Sequence, residues 1–319
     1  LPEPQHTTLG IYDSIDYALN AFNVPVCTYG GENDPQLLAG ASMTAAAKQL
    51  DVPIKLIVGP KMGHAFDPES RKEFMAFHMQ QSAKGKPRFG ERKHIRFTTR
   101  SLRYNHCDWL TIEEIDSVYE PATVDAKVNA DGDVEVSTTN ISALRLVRDV
   151  GTDAIIDGTI LECRIAADGL LPDVDFVKTG SEWQILNYEE SREFSNNPDR
   201  HKRHGLQGPI DDAFMSSFIC VRGTDTPWNE TSQAWADWTL DRFSKEFTQW
   251  MRGDVRIVDD TAVDDEILAH NHLILFGDPG SNLVLQKIVA DLPPRRGPRG
   301  RGSPRCTARC CGRQATRRG

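Results

Sequence analysis

Two apolar runs, Val24–Tyr29 and Ile54–Val58, each stop at a glycine-rich turn. The first turn is Gly30-Gly-Glu-Asn-Asp34, the second Gly59-Pro-Lys-Met-Gly-His64. Between them Pro35 to Leu50 sets apolar residues at Leu37, Leu38, Ala41, Ala45 and Leu50, the spacing of an amphipathic helix. Strand, turn, helix, strand, turn is one unit of a parallel α/β sheet. That pattern predicts Asp34 and His64 at the carboxyl ends of successive strands, the rim where α/β sheets bind ligands.

Both residues suit acid–base work. An aspartate that accepts the Nδ1 hydrogen of a histidine fixes its tautomer and stabilises the imidazolium formed during catalysis. The histidine then moves a proton between a nucleophile and a leaving group. Each also has a plainer reading. Asp34 precedes Pro35 and could be a helix N-cap, and a lone histidine in a loop is usually only solvated. Glu32 is a competing acid two residues nearer the strand. The pairing of Asp34 and His64 across one helix and one strand favours the catalytic reading, in the chain order Ser, Asp, His.

Pro25-Val-Cys-Thr-Tyr-Gly-Gly-Glu-Asn-Asp34 with Gly59-Pro-Lys-Met-Gly-His64 resembles the carboxyl-terminal part of prolyl-oligopeptidase-type (S9) α/β-hydrolases, above all large multi-domain bacterial members. The motif match spans about residues 11–85. The resemblance implies that Asp34 is the triad acid and His64 the triad base. It implies a peptide or ester substrate, cleaved through an acyl-enzyme, and a secreted or envelope setting for the intact protein, with the compartment left open by this sequence. It calls for no cofactor and no metal. Phe97-Thr-Thr-Arg-Ser-Leu-Arg-Tyr-Asn105, His204-Gly-Leu-Gln-Gly-Pro-Ile-Asp-Asp-Ala-Phe214 and Leu275-Phe-Gly-Asp-Pro-Gly-Ser-Asn282 are similar to carboxyl-terminal extensions of such proteins, with no chemistry attached to them.

One part of that family pattern is missing. The nucleophile belongs in Gly-x-Ser-x-Gly on a sharp strand-to-helix turn. No such motif occurs in the sequence, and Gly40-Ala-Ser42 lies inside the expected helix. The expectation is an amino-terminally truncated hydrolase fragment, inactive alone. The alternative is a non-catalytic binding protein with a degenerate hydrolase remnant.

The fold class expected is α/β plus β. Residues 1–87 read as the closing part of an α/β-hydrolase domain, with a further helix over Ile11–Phe22 and another over Glu69–Ala83. Residues 93–186 hold short β-type runs between turn formers, the spacing of an antiparallel sandwich-like module. Residues 187–212 read as a linker or surface loop, and residues 213–292 as a second α/β unit. Residues 293–319, of Arg, Gly, Pro and Cys, read as disordered or non-native, such as out-of-frame translation.

Smaller features carry weaker signals. Gly277-Asp-Pro-Gly-Ser-Asn282 between strand and helix could hold an anion, but Ser281 or Asn282 as N-cap is the simpler reading. His270 and His272 lack acidic partners for a metal. Asp211-Asp212, Asp259-Asp260 and Asp264-Asp265-Glu266 read as solvated turns. Trp235, Trp238 and Trp250 share a helix face and read as core packing rather than a sugar-stacking platform.

Charge and cysteine usage narrow the partners. After Asp291 there are nine arginines and no acid, and the remainder carries 28 basic against 46 acidic residues, a balance of −18. A body so acidic is a poor partner for nucleic acid. No run of 18 apolar residues predicts a membrane span. Cysteines 27, 107, 163 and 220 are widely spaced, form no CxxC pair and read as small core residues.

Overall fold

The first strands of the chain form a parallel pair. The computed structural model describes residues 7, 9–88, 90–147, 149–162, 173–196, 202–208 and 210–292. Cys163, residues 197–201 and the tail 293–319 lie outside the described residues. What is described is a mixed α/β fold with several small sheets, divided into two compact units, Leu1–Asp212 and Ala213–Gly319.

In the first unit, β1 (Val26–Gly31) and β2 (Ile54–Gly59) pair in parallel, joined by the helix Leu37–Gln49. That helix ends where Asp51 takes a positive φ of 56° and Pro53 follows. A 3-10 helix, Ser14–Phe22, stands where the apolar spacing predicts a helix. Ala18 and Leu19 from it meet Ala47 and Val52 in a small core. The helix Pro68–Lys84 starts at Asp67, whose Oδ1 accepts the N–H of Glu69 and Ser70.

Ten strands follow: β3 (His94–Thr99), β4 (His106–Cys107), β5 (Leu110–Ile115), β6 (Ala122–Val128), β7 (Val134–Thr139), β8 (Ile141–Val147), β9 (Ala154–Ile156), β10 (Thr159–Leu161), β11 (Asp173–Thr179) and β12 (Glu182–Ile185). They make two five-stranded sheets, ordered β10-β9-β7-β6-β3 and β12-β11-β8-β5-β4. Inward residues of both sheets, among them Ile95, Val124, Ile112, Leu144 and Phe176, share one core. Alternation drives this: β6 buries Ala122, Val124 and Ala126 and leaves the residues between them less buried. Burying each such side chain contributes about 1.5–3 kcal/mol for the larger ones. Among the described strands of these two sheets, β7 and β9 break the antiparallel pattern by pairing in parallel. The run read as one strand from Ala154 is instead the hairpin β9–β10. Asp157 and Gly158, with φ of 49° and 84°, supply its two-residue turn.

Edge strand β3 is covered by side chains. Asn20 Nδ2 donates to Thr98 O (2.9 Å) while Asn20 Oδ1 accepts Thr98 N–H (2.8 Å). Asn23 makes the same pair of bonds to Arg96. Two asparagines thus take the place of a neighbouring strand. They also tie the α/β part of the unit to its β-rich part. The stretch read as a linker is more ordered than its polarity suggests: Tyr188–Asn196 is a helix, and Gln207 is buried.

The second unit has a parallel sheet of β13 (Phe218–Arg222), β14 (Ile257–Asp259) and β15 (His272–Phe276), in the order β14-β13-β15. Helices Glu230–Met251, Asp265–His270 and Leu283–Ile288 connect and follow them. Among the described residues no helix is long and apolar enough to cross a membrane.

Candidate active site

β1 ends at Gly31 and β2 at Gly59, and these glycines are partners in the parallel register. The turns that follow therefore leave the sheet side by side. Backbone bonds join them: Glu32 N–H donates to Gly59 O and Asn33 N–H to Met62 O, both at 2.8 Å. A Cβ at Gly31 would run into the carbonyl oxygens of Met62 and Gly63, so close approach of the turns requires glycine there.

Across this junction His64 Nδ1 lies 2.8 Å from Asp34 Oδ2. Asp34 Oδ1 accepts the Gln36 N–H at 2.9 Å. The carboxylate thus divides between the two roles open from sequence, one oxygen to the turn that heads the helix and one to the histidine. Its side chain is 9% exposed, and that of His64 is 78% exposed. The Gln36 N–H first, and the His64 ring second, hold the Asp34 carboxyl below the ordinary range against its partial desolvation. In the Nδ1–H tautomer this arrangement leaves Nε2 as a proton acceptor.

Glu32 is engaged elsewhere. Its Oε2 accepts Lys61 N–H at 2.7 Å, and Lys61 has a left-handed φ of 58°. Beyond His64, Tyr29 donates its hydroxyl to Ala65 O (2.8 Å) and stacks on Phe66 with ring centroids 3.9 Å apart. A Cβ at Gly59 would strike that hydroxyl. The sequence reading missed Tyr29 and the Glu32–Lys61 bond. The available signal was a tyrosine immediately before the first turn. An open groove of about 830 Å³ runs along β1, with Tyr29, Asp34, Leu38, Ser42, His64 and Phe66 among its lining. Ser42 is within the helix Leu37–Gln49, not on a strand-to-helix turn.

The remaining candidates resolve into structural roles. Asn282, wholly buried, accepts Val284 and Leu285 N–H and caps the helix Leu283–Ile288. His272 Nδ1 is 2.9 Å from Ala213 O. Among the described residues no group of three or more His, Cys, Asp or Glu could hold a metal ion. Two readings are corrected. Asp260 is buried rather than solvated: it accepts the Thr224 hydroxyl (2.7 Å), Leu283 N–H (2.7 Å) and Thr261 N–H (3.1 Å). The tryptophans are not core: Trp235, Trp238 and Trp250 are 66%, 55% and 72% exposed. Their helix buries Ala236 and Leu240 instead, and Phe243 and Phe247 on that side meet Phe214 and Phe218. Cys220 is fully buried, while Cys27 and Cys107 are half-buried.

No family model, no curated protein and no solved structure matches this chain.

Proposed function

We propose that this chain carries the acid and the base of a serine hydrolase of the prolyl-oligopeptidase type, which cleaves peptide or ester bonds through an acyl-enzyme. The observation that carries the reading is the 2.8 Å bond from His64 Nδ1 to Asp34 Oδ2, at the carboxyl edge of a parallel strand pair. In this reading Asp34 orients the ring and stabilises the imidazolium, and His64 Nε2 takes the proton of a serine hydroxyl and returns it to the leaving group. The sequence holds no Gly-x-Ser-x-Gly, so the reading requires a serine from outside these 319 residues. No cofactor enters the chemistry.

The test has two arms. A fluorophosphonate probe is expected to label no serine of this chain, and stoichiometric labelling would refute the assignment of the nucleophile. In a longer polypeptide bearing a nucleophile elbow ahead of Val24, His64→Ala is expected to abolish turnover of peptide and ester substrates. Activity retained in that variant would refute the dyad and favour a binding protein with a hydrolase remnant.

A further inference from the structure

The proposed base is held weakly by packing. The His64 side chain is 78% exposed, and among the described residues Asp34 is the side chain bonded to it. The position of the ring is therefore set by the backbone of its loop. That backbone makes an unusual turn at Lys61, three residues before His64, where an L-residue takes a φ of 58°. Among the described residues, the side chain bonded to the Lys61 backbone comes from the other turn: Glu32 Oε2 accepts Lys61 N–H at 2.7 Å. The next backbone tie is again to the acid turn, from Asn33 N–H to Met62 O. Glu32 and Asn33 thus pin Lys61 and Met62, and the chain reaches His64 two residues later.

We infer that Glu32 is a positioning residue for His64: its carboxylate clamps the left-handed turn at Lys61 and so sets the distance between His64 and Asp34. The inference rests on reading Asp34 and His64 as the working pair. It also assigns the two acids of Gly-Glu-Asn-Asp distinct tasks, Asp34 to the ring and Glu32 to the loop that carries it. The clamp needs an oxygen acceptor rather than a charge, so glutamine can serve and alanine cannot.

The experiment uses the full chain and the imidazole ¹H–¹⁵N spectrum of His64 at a pH where the ring is neutral, the signal identified by its loss in His64→Ala. The wild-type protein is expected to show the Nδ1–H tautomer alone. Glu32→Ala is expected to shift it to a mixture of tautomers, and Glu32→Gln to keep the wild-type pattern. A Glu32→Ala protein that keeps the single tautomer overturns the inference, even if its thermal midpoint falls, because that marks a merely structural bond. A wild-type ring without the Nδ1–H tautomer overturns the pairing with Asp34 and the clamp together. The two failures are therefore told apart by the wild-type spectrum.

Discussion

Asp34 spends each carboxylate oxygen on a different element, and this sets its titration. Its pKa is lowered by the Gln36 N–H and by His64. The stability that follows is fully present above the ordinary aspartate pKa, about 3.9, and is lost as pH falls through the lowered native value. Carboxyl ¹³C titration is expected to find Asp34 below the usual range. His64→Ala is expected to raise it only part of the way back, since the Gln36 bond survives. Full return to the ordinary value would mean that the backbone bond contributes nothing. Cys220 behaves oppositely, as burial pushes its thiol to about 11. At pH 8 it stays a thiol, and native protein is expected to leave Cys220 unalkylated by iodoacetamide until it unfolds.

At the scale of elements, the site depends on two turns lying against each other. Gly31→Ala places a methyl group against the Met62 and Gly63 carbonyls. It is expected to separate the turns and remove the His64–Asp34 contact, read in the same imidazole spectrum. An unchanged spectrum would show that the turns yield without cost. The β-rich part contains a charge cluster in which Arg145 bonds Asp175 at 2.7 Å and lies 3.3 Å from Glu113. Burial raises the Glu113 pKa, opposed chiefly by Arg145. Replacing Arg145 by Met would leave the buried Asp175 and the half-buried Glu113 without their cation. Its expected cost is about 3–5 kcal/mol in urea unfolding. In the second unit, Asp260→Ala removes the acceptor of three donors, Thr224, Leu283 and the adjacent Thr261. The donors are partly buried, so the expected cost is about 1–3 kcal/mol in all, and a loss under 1 kcal/mol would show that water replaces the carboxylate.

Among the described residues, the two units hold separate hydrophobic cores. The core of the two five-stranded sheets and the small core of Ile219, Val221 and Val284 share no residue. Ile112→Ala, at a fully buried position, is expected to cost the first about 2–5 kcal/mol. Alkylation of Cys220 under native conditions reports on the second, and it is expected to stay as slow as in the wild type.

Much of the element order was legible because local spacing specifies it. The apolar runs ending at Gly30 and Gly59, the helix between them and the alternating residues of β6 need only period and turn chemistry to be placed. The candidate pair was legible for the same reason, since parallel strands that end in register carry their turns to one edge. What sequence could not show was which side chain meets which. Asp34 and Glu32 are both carboxylic acids, and only the register of β1 on β2 sends one to His64 and the other to Lys61, 29 residues away. The tryptophans of Glu230–Met251 fit a buried stripe as well as an exposed one, because hydrophobicity marks a face but not its neighbour. The phenylalanines at 214 and 218 decided that orientation by occupying the other side. Glycine at 31 is written in the sequence, yet the carbonyls that demand it arrive from a turn 31 residues later. Local propensity and period determine the elements. Partners brought from far along the chain determine the site.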